Sequence, residues 1–444
     1  MQTHFSDEQL ADEQIKQADD ILRKCVHCGF CTATCPTFVL TGDERDSPRG
    51  RIWMIRDFLE QDSPPDSRLQ YHLDRCLTCL SCMTTCPSGV DYMHLVDIGR
   101  EKLDKHTPRP LADRLVRWLL SMVVPYAGRF HLALRAARLA KPVSFMLPRR
   151  LRAMVSLAPA TSHSLDPIGA TDRLYADNII TPVRRVMLLA GCAQRAIDPE
   201  INAATVRLLN RLGIEVEVRE QAACCGALAH HISAHDKAKQ TICQTADAWR
   251  DEIEAGTIDA IIVNTSGCGT QLKDYAGLLA GEPEYAEIGQ KISKLTMDIS
   301  ELLASIDTLP QNVPNGLTVA YHAACSLQHG QKVLQAPKQL LARAGFKVVS
   351  PAESHLCCGS AGVYNVLQPE LSQQLQVRKL SALNATNADI VAAGNLGCIN
   401  QLASGAMPIC HTVQLLDWAY GGPEPAGLAQ TGITAGITIA SASN

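Results

Sequence analysis

The amino-acid sequence predicts a multidomain protein of mixed α and β structure, in which a mainly helical N-terminal domain precedes two repeated α/β domains. Two runs of four cysteines fall between Cys25 and Cys86. From residue 182, short apolar strands alternate with helices, which is typical of parallel sheets. The cysteine pattern that begins at Cys192 recurs at Cys325. The predicted parts are a cysteine-rich domain at 1–110, a connector at 111–181, repeated domains at 182–312 and 313–420, and a disordered tail at 421–444.

Composition indicates an ordinary globular chain whose cysteines are metal ligands. The 444 residues are 46% hydrophobic and 19% charged, and the net charge of -4 gives no reason to expect nucleic-acid binding. The polar N-terminus does not resemble a signal peptide, and no run of about 20 apolar residues predicts a transmembrane helix. We therefore expect a cytoplasmic protein whose 18 cysteines stay reduced, and short cysteine motifs in such a protein are typical of metal sites.

The N-terminal domain is predicted to begin with a helix over residues 7–24 and to continue into the two cysteine runs. Each run has the spacing Cys-x2-Cys-x2-Cys-x3-Cys-Pro, from Cys25 to Pro36 and from Cys76 to Pro87. Bacterial ferredoxins have this spacing. Zinc is the alternative metal, but a third cysteine at +3 followed by a Cys-Pro pair favours a [4Fe–4S] cubane. The domain is therefore predicted to be ferredoxin-like, with two [4Fe–4S] clusters.

Crossed ligation assigns four cysteines to each cluster, because the fourth cysteine of a run ligates the other cluster in two-cluster ferredoxins. The first predicted set is Cys25, Cys28, Cys31 and Cys86, and the second is Cys76, Cys79, Cys82 and Cys35. Neither cluster keeps an obvious open coordination site, so we expect an electron carrier without catalytic residues. Between the runs, Pro48 predicts the first turn of a helix. Arg49 and Arg51 either help to hold the negative clusters or pair with acidic surface groups.

The connector is predicted to be basic and partly amphipathic. Residues 114–165 include nine Arg or Lys and no Asp or Glu. Pro125, Pro142 and Pro148 divide this stretch into short helices, and apolar residues cluster at Trp118–Val124. Such a segment suits contact with anionic lipids on the cytoplasmic face of a membrane, or docking on a partner protein. The nine basic residues are Arg114, Arg117, Arg129, Arg135, Arg138, Lys141, Arg149, Arg150 and Arg152.

The two α/β domains repeat one order of elements. Cys192 and Cys224 have 31 residues between them, and so do Cys325 and Cys357, which indicates a duplicated domain. Strands are predicted at Arg185–Ala190, Ile214–Val218, Ala260–Val263, Leu317–Tyr321, Lys347–Val349 and Ile390–Ala393. Each strand leads toward a cysteine, and ligands of open α/β sheets bind at that edge. The candidate metal ligands are Cys192, Cys224, Cys225 and Cys268 in the first Cys-Cys-Gly domain, and Cys325, Cys357, Cys358 and Cys398 in the second.

Residues 1 to about 420 resemble the glycolate oxidase iron–sulfur subunit family. The ordered motifs that carry the resemblance are CVHCGFCTATCP, SPRGRI, DRCLTCLSCMTTCPSGV, GCAQ, CCGALAHH, TSGCG, HLCCGSAG and NLGCINQLAS. The resemblance implies the electron-transfer subunit of a flavin-dependent 2-hydroxyacid oxidase, with glycolate as the expected substrate. It also implies FAD-binding partner subunits and quinone as the acceptor. Related subunits serve lactate or glycerol-3-phosphate oxidation, and heterodisulfide reductases share the Cys-Cys-Gly repeats.

The repeats leave room for one or two further iron–sulfur clusters. Heterodisulfide reductases have a fifth cysteine three residues before the last one, where this chain has Thr265 and Asn395. Disulfide-reducing chemistry is therefore not expected. Four histidines near the motifs either bind a metal or sulfur, or are structural; they are His230, His231, His322 and His355. Cys243, Cys410 and His411 are predicted to be structural. No dinucleotide fingerprint or Walker loop occurs, so flavin is expected on another chain.

Overall fold

The computed structural model describes residues 1–61, 67–159, 163–177, 179–306 and 316–429. Its N-terminal part is helical, as predicted. The expected helix over 7–24 is two helices, because the Asp12 carboxylate accepts hydrogen bonds from the backbone N–H groups of Gln14 and Ile15 and begins the second. The helices of this part are Asp7–Leu10, Glu13–Lys24, Phe30–Ala33, Pro36–Thr41, the 3₁₀ turn Glu44–Asp46, Pro48–Glu60, Ser67–Asp74, Ser81–Thr85 and Tyr92–His106.

Three of these helices form the core of the ferredoxin-like domain. Leu22, Ile55 and Leu95, one from each of the three longest helices, are fully buried together. Pro48 occupies the first turn of its helix, as predicted, and the Ser47 hydroxyl caps that helix by accepting from Gly50 N at 3.0 Å. Cysteines of both runs border this core, so the helices present the two runs to each other.

The connector forms short helices that end near the predicted prolines. They are Leu111–Val123, Ala127–Ala140, the 3₁₀ segment Lys141–Met146, and Arg149–Ser156. One side of the first helix packs inward, since Leu120 and Val124 lie against Ile232 and Val366 of the two repeats. The opposite side, which includes Trp118, is exposed. The predicted apolar cluster is therefore divided between an internal contact and the surface.

The first repeat has a five-stranded sheet. Its strands are β1 (Arg173–Tyr175), β2 (Arg184–Leu188), β3 (Ile214–Val218), β4 (Ala260–Val263) and β5 (Thr296–Asp298). They lie in the order β1-β3-β2-β4-β5, and all neighbours are parallel except β1 and β3. The sequence did not reveal β1 or β5, because three-residue strands at sheet edges carry little apolar pattern.

The second repeat has a four-stranded parallel sheet. Its strands are β6 (Thr318–His322), β7 (Lys347–Val349), β8 (Ile390–Ala393) and β9 (Ile409–His411), in the order β7-β6-β8-β9. This order matches β3-β2-β4-β5, so the predicted duplication is present in the fold. The two repeats share one apolar core. Ile201 and Val216 of the first repeat belong to it, as do Tyr321 and Ile390 of the second.

Helices connect the strands of both repeats. The long helix expected near 232–255 begins at His235, after a separate turn of helix at Ala227–His231. The helices of the repeats are Gln194–Ile197, Glu200–Arg211, Ala227–His231, His235–Glu254, Ser266–Lys273, Tyr275–Leu278, Ala286–Leu295, Ile299–Ala304, the π-helical Ser326–Gly330, Ala336–Arg343, Tyr364–Leu367, Pro369–Asn384, Leu396–Leu402, Thr412–Ala419 and Ala426–Ala429.

The C-terminal segment differs from expectation. We predicted disorder from residue 421, but the described residues up to 429 include the helix Ala426–Ala429, and Leu428 is fully buried in the shared core. That one leucine anchors a segment of small residues, which is why composition misled the prediction. The rest of the predicted tail, 430–444, and the predicted boundary at 312–313 lie outside the described residues. Within the described ranges, no helix is long and apolar enough to cross a bilayer.

His94 joins the N-terminal domain to the first repeat. Its imidazole lies between Asp274 of the first repeat, at 2.9 Å, and Asp91 of its own helix cap, at 2.6 Å. The His94 ring donates hydrogen bonds to both carboxylates, and these bonds, the one to Asp274 most of all, raise the pKa of His94 to about 10. The imidazolium is therefore the form that the folded protein holds at neutral pH.

This histidine should make stability depend on pH. A raised pKa means that the stabilisation is fully present below the unfolded pKa of about 6.5 and is lost as pH rises toward the folded value near 10. Charge-assisted hydrogen bonds are worth about 2 kcal/mol. We expect His94→Phe to lower the thermal midpoint by roughly 4 °C at pH 6 and much less at pH 10. The control is His106→Gln on the exposed end of the same helix. If the thermal midpoints of wild type and His94→Phe differ by the same amount at pH 6 and pH 10, His94 is not the source of the pH dependence.

Candidate metal centres

The two cysteine runs fold in the same way locally. In the first run, His27 and Gly29 have left-handed backbone conformations, with φ of 58° and 85°. In the second run, Thr78 and Leu80 repeat them at the corresponding positions, with φ of 51° and 62°. These angles are uncommon for residues other than glycine. Each run therefore wraps into the same tight turn, which places three successive thiols around one centre.

The first cavity is lined by the first predicted cysteine set. Its lining cysteines are Cys25, Cys28, Cys31 and Cys86, together with Cys82 at its edge. Cys28 is exposed to solvent, whereas Cys25 is buried. Exposed apolar side chains, Val26 and Phe30, stand at its mouth. The first run thus supplies three thiols, and the second run supplies Cys86.

The second cavity is lined by the second predicted set and is more enclosed. Its cysteines are Cys35, Cys76, Cys79 and Cys82. Cys35 comes from the first run, where it precedes the helix Pro36–Thr41, and it lines the second cavity and not the first. Because Cys82 borders both cavities, the two sites adjoin. The donor set of each cavity, four thiols of crossed origin, fits a [4Fe–4S] cluster.

Two buried arginines give the second cavity a positive electrostatic environment. Arg51 is 1% exposed and points its guanidinium toward Cys35 Sγ, at 4.0 Å. Arg100 donates to Thr78 Oγ1 at 3.0 Å and to Cys76 O at 2.9 Å. Burial alone would raise the pKa of Cys76, but the charges of Arg51 and Arg100 bring that pKa below its ordinary value. This electrostatic environment favours thiolate and, more generally, negative charge in the cavity.

The two arginines of the motif after Ser47 have different roles. Arg51 donates from Nε to the His72 carbonyl at 2.8 Å and lies 3.5 Å from the buried Asp46. Arg49 instead forms a half-exposed ion pair with Glu44 at 2.7 Å. Arg51 therefore lies at the second cavity, whereas Arg49 pairs with an acidic surface group and also lines the first cavity. Arg100 and Tyr92, whose hydroxyl donates to Cys76 Sγ at 3.8 Å, were not recognised because they lie outside the cysteine motifs.

The first Cys-Cys-Gly site gathers its four predicted cysteines at the carboxyl edge of the first sheet. Cys192 follows β2, and its sulfur accepts a hydrogen bond from Cys224 Sγ at 3.6 Å. Cys268 lies in the helix Ser266–Lys273, which follows β4. Gly226 has φ of 80°, and a Cβ there would lie 2.9 Å from Ile242. Glycine is therefore required where the cysteine pair turns into the next helix.

The second Cys-Cys-Gly site repeats this arrangement. Cys325 Sγ donates to Cys357 Sγ at 3.8 Å, and Cys358 Sγ donates to Cys398 Sγ at 3.4 Å. Gly359 has φ of 91°, and a Cβ there would lie 2.5 Å from the Ser372 carbonyl oxygen. The hydrogen bond from Cys358 and the nearby His322 imidazole lower the pKa of Cys398 to about 6. The structure thus brings together all four predicted cysteines of each repeat.

The residues at the position of the missing fifth cysteine stand at the N-terminal ends of helices. Thr265 precedes the helix that contains Cys268, and its hydroxyl bonds to the Gln194 side chain. Asn395 caps the helix that contains Cys398 by accepting from Cys398 N at 3.2 Å. Both side chains already have protein partners.

The second Cys-Cys-Gly site lies directly against the second cavity of the N-terminal domain. Cys79 and Cys357 belong to one buried cluster, with Cys325 at its border. His329 bridges the two parts, because its ring contacts Thr84 Oγ1 at 2.7 Å and the His355 carbonyl at 3.1 Å. No sequence signal indicated this contact, since Thr84 and His329 are 245 residues apart.

The remaining candidates have mixed outcomes. His230 lies 3.8 Å from Asp97, and His231 stacks on His230 with 5.9 Å between the ring centroids. His355 lies two residues before Cys357 in the second repeat. His411 is buried and caps its helix by accepting from Val413 N at 3.1 Å, which confirms the structural interpretation. Cys410 is buried in the shared core and Cys243 packs at the edge of the first repeat's core, also as predicted.

Comparisons with known proteins agree with this organisation. The 4Fe-4S dicluster domain matches residues 24–90, and the Cysteine-rich domain matches 186–273 and 319–403. The glycolate oxidase iron-sulfur subunit of Escherichia coli is 39% identical over 94% of this chain and 99% of its own length. The probable glycolate oxidase iron-sulfur subunit of Bacillus subtilis is 30% identical over 91% and 94%.

More distant relatives match part of the chain or its fold. Lactate utilization protein A of Geobacillus thermodenitrificans is 26% identical over 48% of this chain and 88% of its own length. A hypothetical protein from Helicobacter pylori has a similar fold, with a TM-score of 0.50 at 11% identity over 94% of this chain and 74% of that one. From the two nearly full-length relatives, together with the matched domains, it follows that the chain belongs to the glycolate oxidase iron–sulfur subunit family.

Proposed function

We propose that this chain carries electrons within a glycolate oxidase, from FAD-binding subunits toward a quinone. The observation that supports this most strongly is the pair of adjoining cavities, each lined by three cysteines of one run and by cysteines of the other run, with Cys82 common to both. The first cavity opens at the surface through Cys28. The second is covered by the second repeat. Two clusters in these cavities would form an electron path from the exposed first site to the covered second site.

The cysteines of the two crossed sets would hold two [4Fe–4S] clusters. When bound, these clusters supply one-electron redox chemistry. The thiols ligate as thiolates, and Arg51 and Arg100 offset their negative charge at the second site. The eight cysteines of the repeats would hold further metal. We assign the oxidation of the 2-hydroxyacid to the partner subunits and no substrate site to this chain.

The function is tested by isolating the tagged chain with the subunits that accompany it in its own cell. We expect a flavoprotein to co-purify, and glycolate to bleach the visible absorption of the iron–sulfur clusters under anaerobic conditions. L-Lactate and sn-glycerol-3-phosphate, tested in parallel, decide between glycolate and the two rival substrates. A preparation without flavoprotein, whose clusters no hydroxyacid reduces, would contradict the proposal.

Arg51 should set the reduction potential of the second cluster. Loss of a charge-assisted interaction worth about 1.5–3 kcal/mol corresponds to roughly 60–130 mV for one electron. We expect Arg51→Gln to lower the potential of that cluster by this amount, and Arg51→Lys, which keeps the charge, to lower it less. Potentiometric titration followed by EPR measures both. Equal shifts in the two variants would show that shape rather than charge matters.

We further propose that the connector attaches the complex to the cytoplasmic face of the membrane. Along the helix Leu111–Val123, an exposed face is formed by Leu111, Leu115, Trp118 and Leu119. Arg149 pairs with Glu370, and Arg150 pairs with Asp113 at 2.7 Å, so these two cations stabilise the fold. Arg114 and Arg135 are exposed, and neither forms an ion pair within the described ranges. They are the cations best placed to meet anionic headgroups.

Charge reversal at these two positions should weaken membrane binding. Each basic residue near an anionic surface contributes about 1 kcal/mol, so Arg114→Glu with Arg135→Glu should reduce binding to phosphatidylglycerol vesicles by at least about tenfold. A matched control, Lys16→Glu with Lys332→Glu, changes the net charge equally at exposed sites elsewhere. Vesicle sedimentation measures both. If the first variant still binds vesicles but no longer assembles with its partner subunits, the connector is a docking element.

A further inference from the structure

The two Cys-Cys-Gly repeats differ at one buried position beside the cysteines. Three residues before the first cysteine of each repeat, the first repeat has Leu189 and the second has His322. Leu189 packs in the apolar core of the first repeat. His322 ends strand β6, next to Ala393 of β8, and is 1% exposed. The fold is therefore the same at both positions, but one offers hydrocarbon and the other an imidazole.

His322 faces two thiols of its repeat. One ring nitrogen of His322, Cys358 Sγ and Cys398 Sγ all lie within 4.8 Å of one another, and all three residues are buried. Neither ring nitrogen of His322 forms a hydrogen bond of normal geometry among the described residues, and its ring interacts with the Cys398 thiol. A buried imidazole without a well-formed hydrogen bond is unfavourable unless something else binds it. The nearby thiols indicate that this partner is a metal.

The spacing of the sulfurs favours a single metal ion. With metal–sulfur bonds of about 2.3 Å, two thiolates of a tetrahedral site lie roughly 3.8 Å apart. The separations in the second repeat, 3.8 Å for Cys325 and Cys357 and 3.4 Å for Cys358 and Cys398, are close to this value. The eight N-terminal cysteines, in contrast, surround two cavities and form no thiol–thiol hydrogen bonds with one another in the described structure.

We propose that His322 is a metal ligand, and that the second repeat binds one tetrahedral thiophilic ion, zinc or iron, through His322 and three of its four cysteines, Cys358 and Cys398 among them. The first repeat, with Leu189, offers thiolates alone, so the two repeats are chemically different metal sites. The inference rests on the proposed function only in taking the repeat cysteines as metal ligands. Since Cys357 packs against Cys79, the ion would lie beside the second N-terminal cluster site.

The test compares the intact protein with three variants, purified anaerobically as full-length chains. His322→Leu installs the residue of the first repeat, His322→Cys replaces the imidazole with a thiol, and Leu189→His is the reciprocal change. We expect wild type to hold one zinc or non-cluster iron that His322→Leu loses and His322→Cys retains. X-ray absorption at the zinc edge, or Mössbauer spectra if the metal is iron, should detect one nitrogen ligand in wild type, and only sulfur in His322→Cys.

Several outcomes would overturn the assignment. They are retention of the same metal by His322→Leu, a spectrum with sulfur ligands alone in wild type, or a four-iron cluster in the second repeat. EPR of the N-terminal clusters is recorded on every sample. A cluster signal in a variant shows that the variant is folded. If wild type gives no cluster signal, this would count against the proposed electron-transfer function independently of His322.

Discussion

Cys35→Ser should abolish the cluster that is held mainly by the second cysteine run. Cys35 belongs to the first run, but its thiol lines the second cavity with Cys76, Cys79 and Cys82. Replacing a thiolate by a hydroxyl removes one of four ligands, and thiolates are what such clusters require. We expect iron from the N-terminal domain to fall from about eight to about four atoms per chain. The EPR signal that disappears should be that of the cluster whose reduction potential Arg51→Gln lowers.

The reciprocal variant makes this expectation specific. Cys86→Ser should remove the other cluster, whose cavity is lined by Cys25, Cys28 and Cys31, and should leave the Arg51-sensitive signal in place. Cys243→Ser is the control, because Cys243 lies on the helix His235–Glu254 outside every cysteine set. If Cys35→Ser instead spares the Arg51-sensitive cluster and destroys the exposed one, ligation is local rather than crossed.

Removal of iron should unfold the N-terminal domain and leave the core of the repeats intact. The domain's apolar core is bordered by Cys25 and Cys82, so the clusters would complete that core as well as cross-link it. Metal binding of this kind contributes directly to folding. We expect amide hydrogens of the helix Glu13–Lys24 to exchange about a hundredfold faster or more after anaerobic chelation, which corresponds to about 2.8 kcal/mol or more.

The helix His235–Glu254 provides the internal comparison. It packs through Trp249 and Ile242 into the core of the first repeat, and its protection should change little in the same sample. Hydrogen exchange read by mass spectrometry reports both helices at once. Unchanged protection in Glu13–Lys24 after iron loss would mean that the helical domain folds without its clusters. The prediction would then fail, although the crossed ligation would stand.

The sequence by itself determined the cysteine chemistry and the duplication. Ligand spacing is a local property, so the run from Cys25 to Pro36 specifies its turn without help from the rest of the chain. Central strands such as β4 and β8 are fully buried and read as continuous apolar segments. Five of the six predicted strands agree with the structure within one residue at each end. Edge strands β1 and β5, and the short helix Ala426–Ala429 with its single buried residue Leu428, gave no comparable signal.

Only the tertiary structure decided which groups meet across long distances in the chain. The contact of Arg100 with Thr78, the Thr84–His329 contact and the His94–Asp274 pair all join residues that no single short motif contains together. The same holds for His322: the sequence presents it as one of four ambiguous histidines, and burial beside Cys358 and Cys398 distinguishes it. Burial and the absence of a well-formed hydrogen bond are properties of packing. They arise only when β6 and β8 lie side by side and bring an imidazole and two thiols to one edge of the sheet.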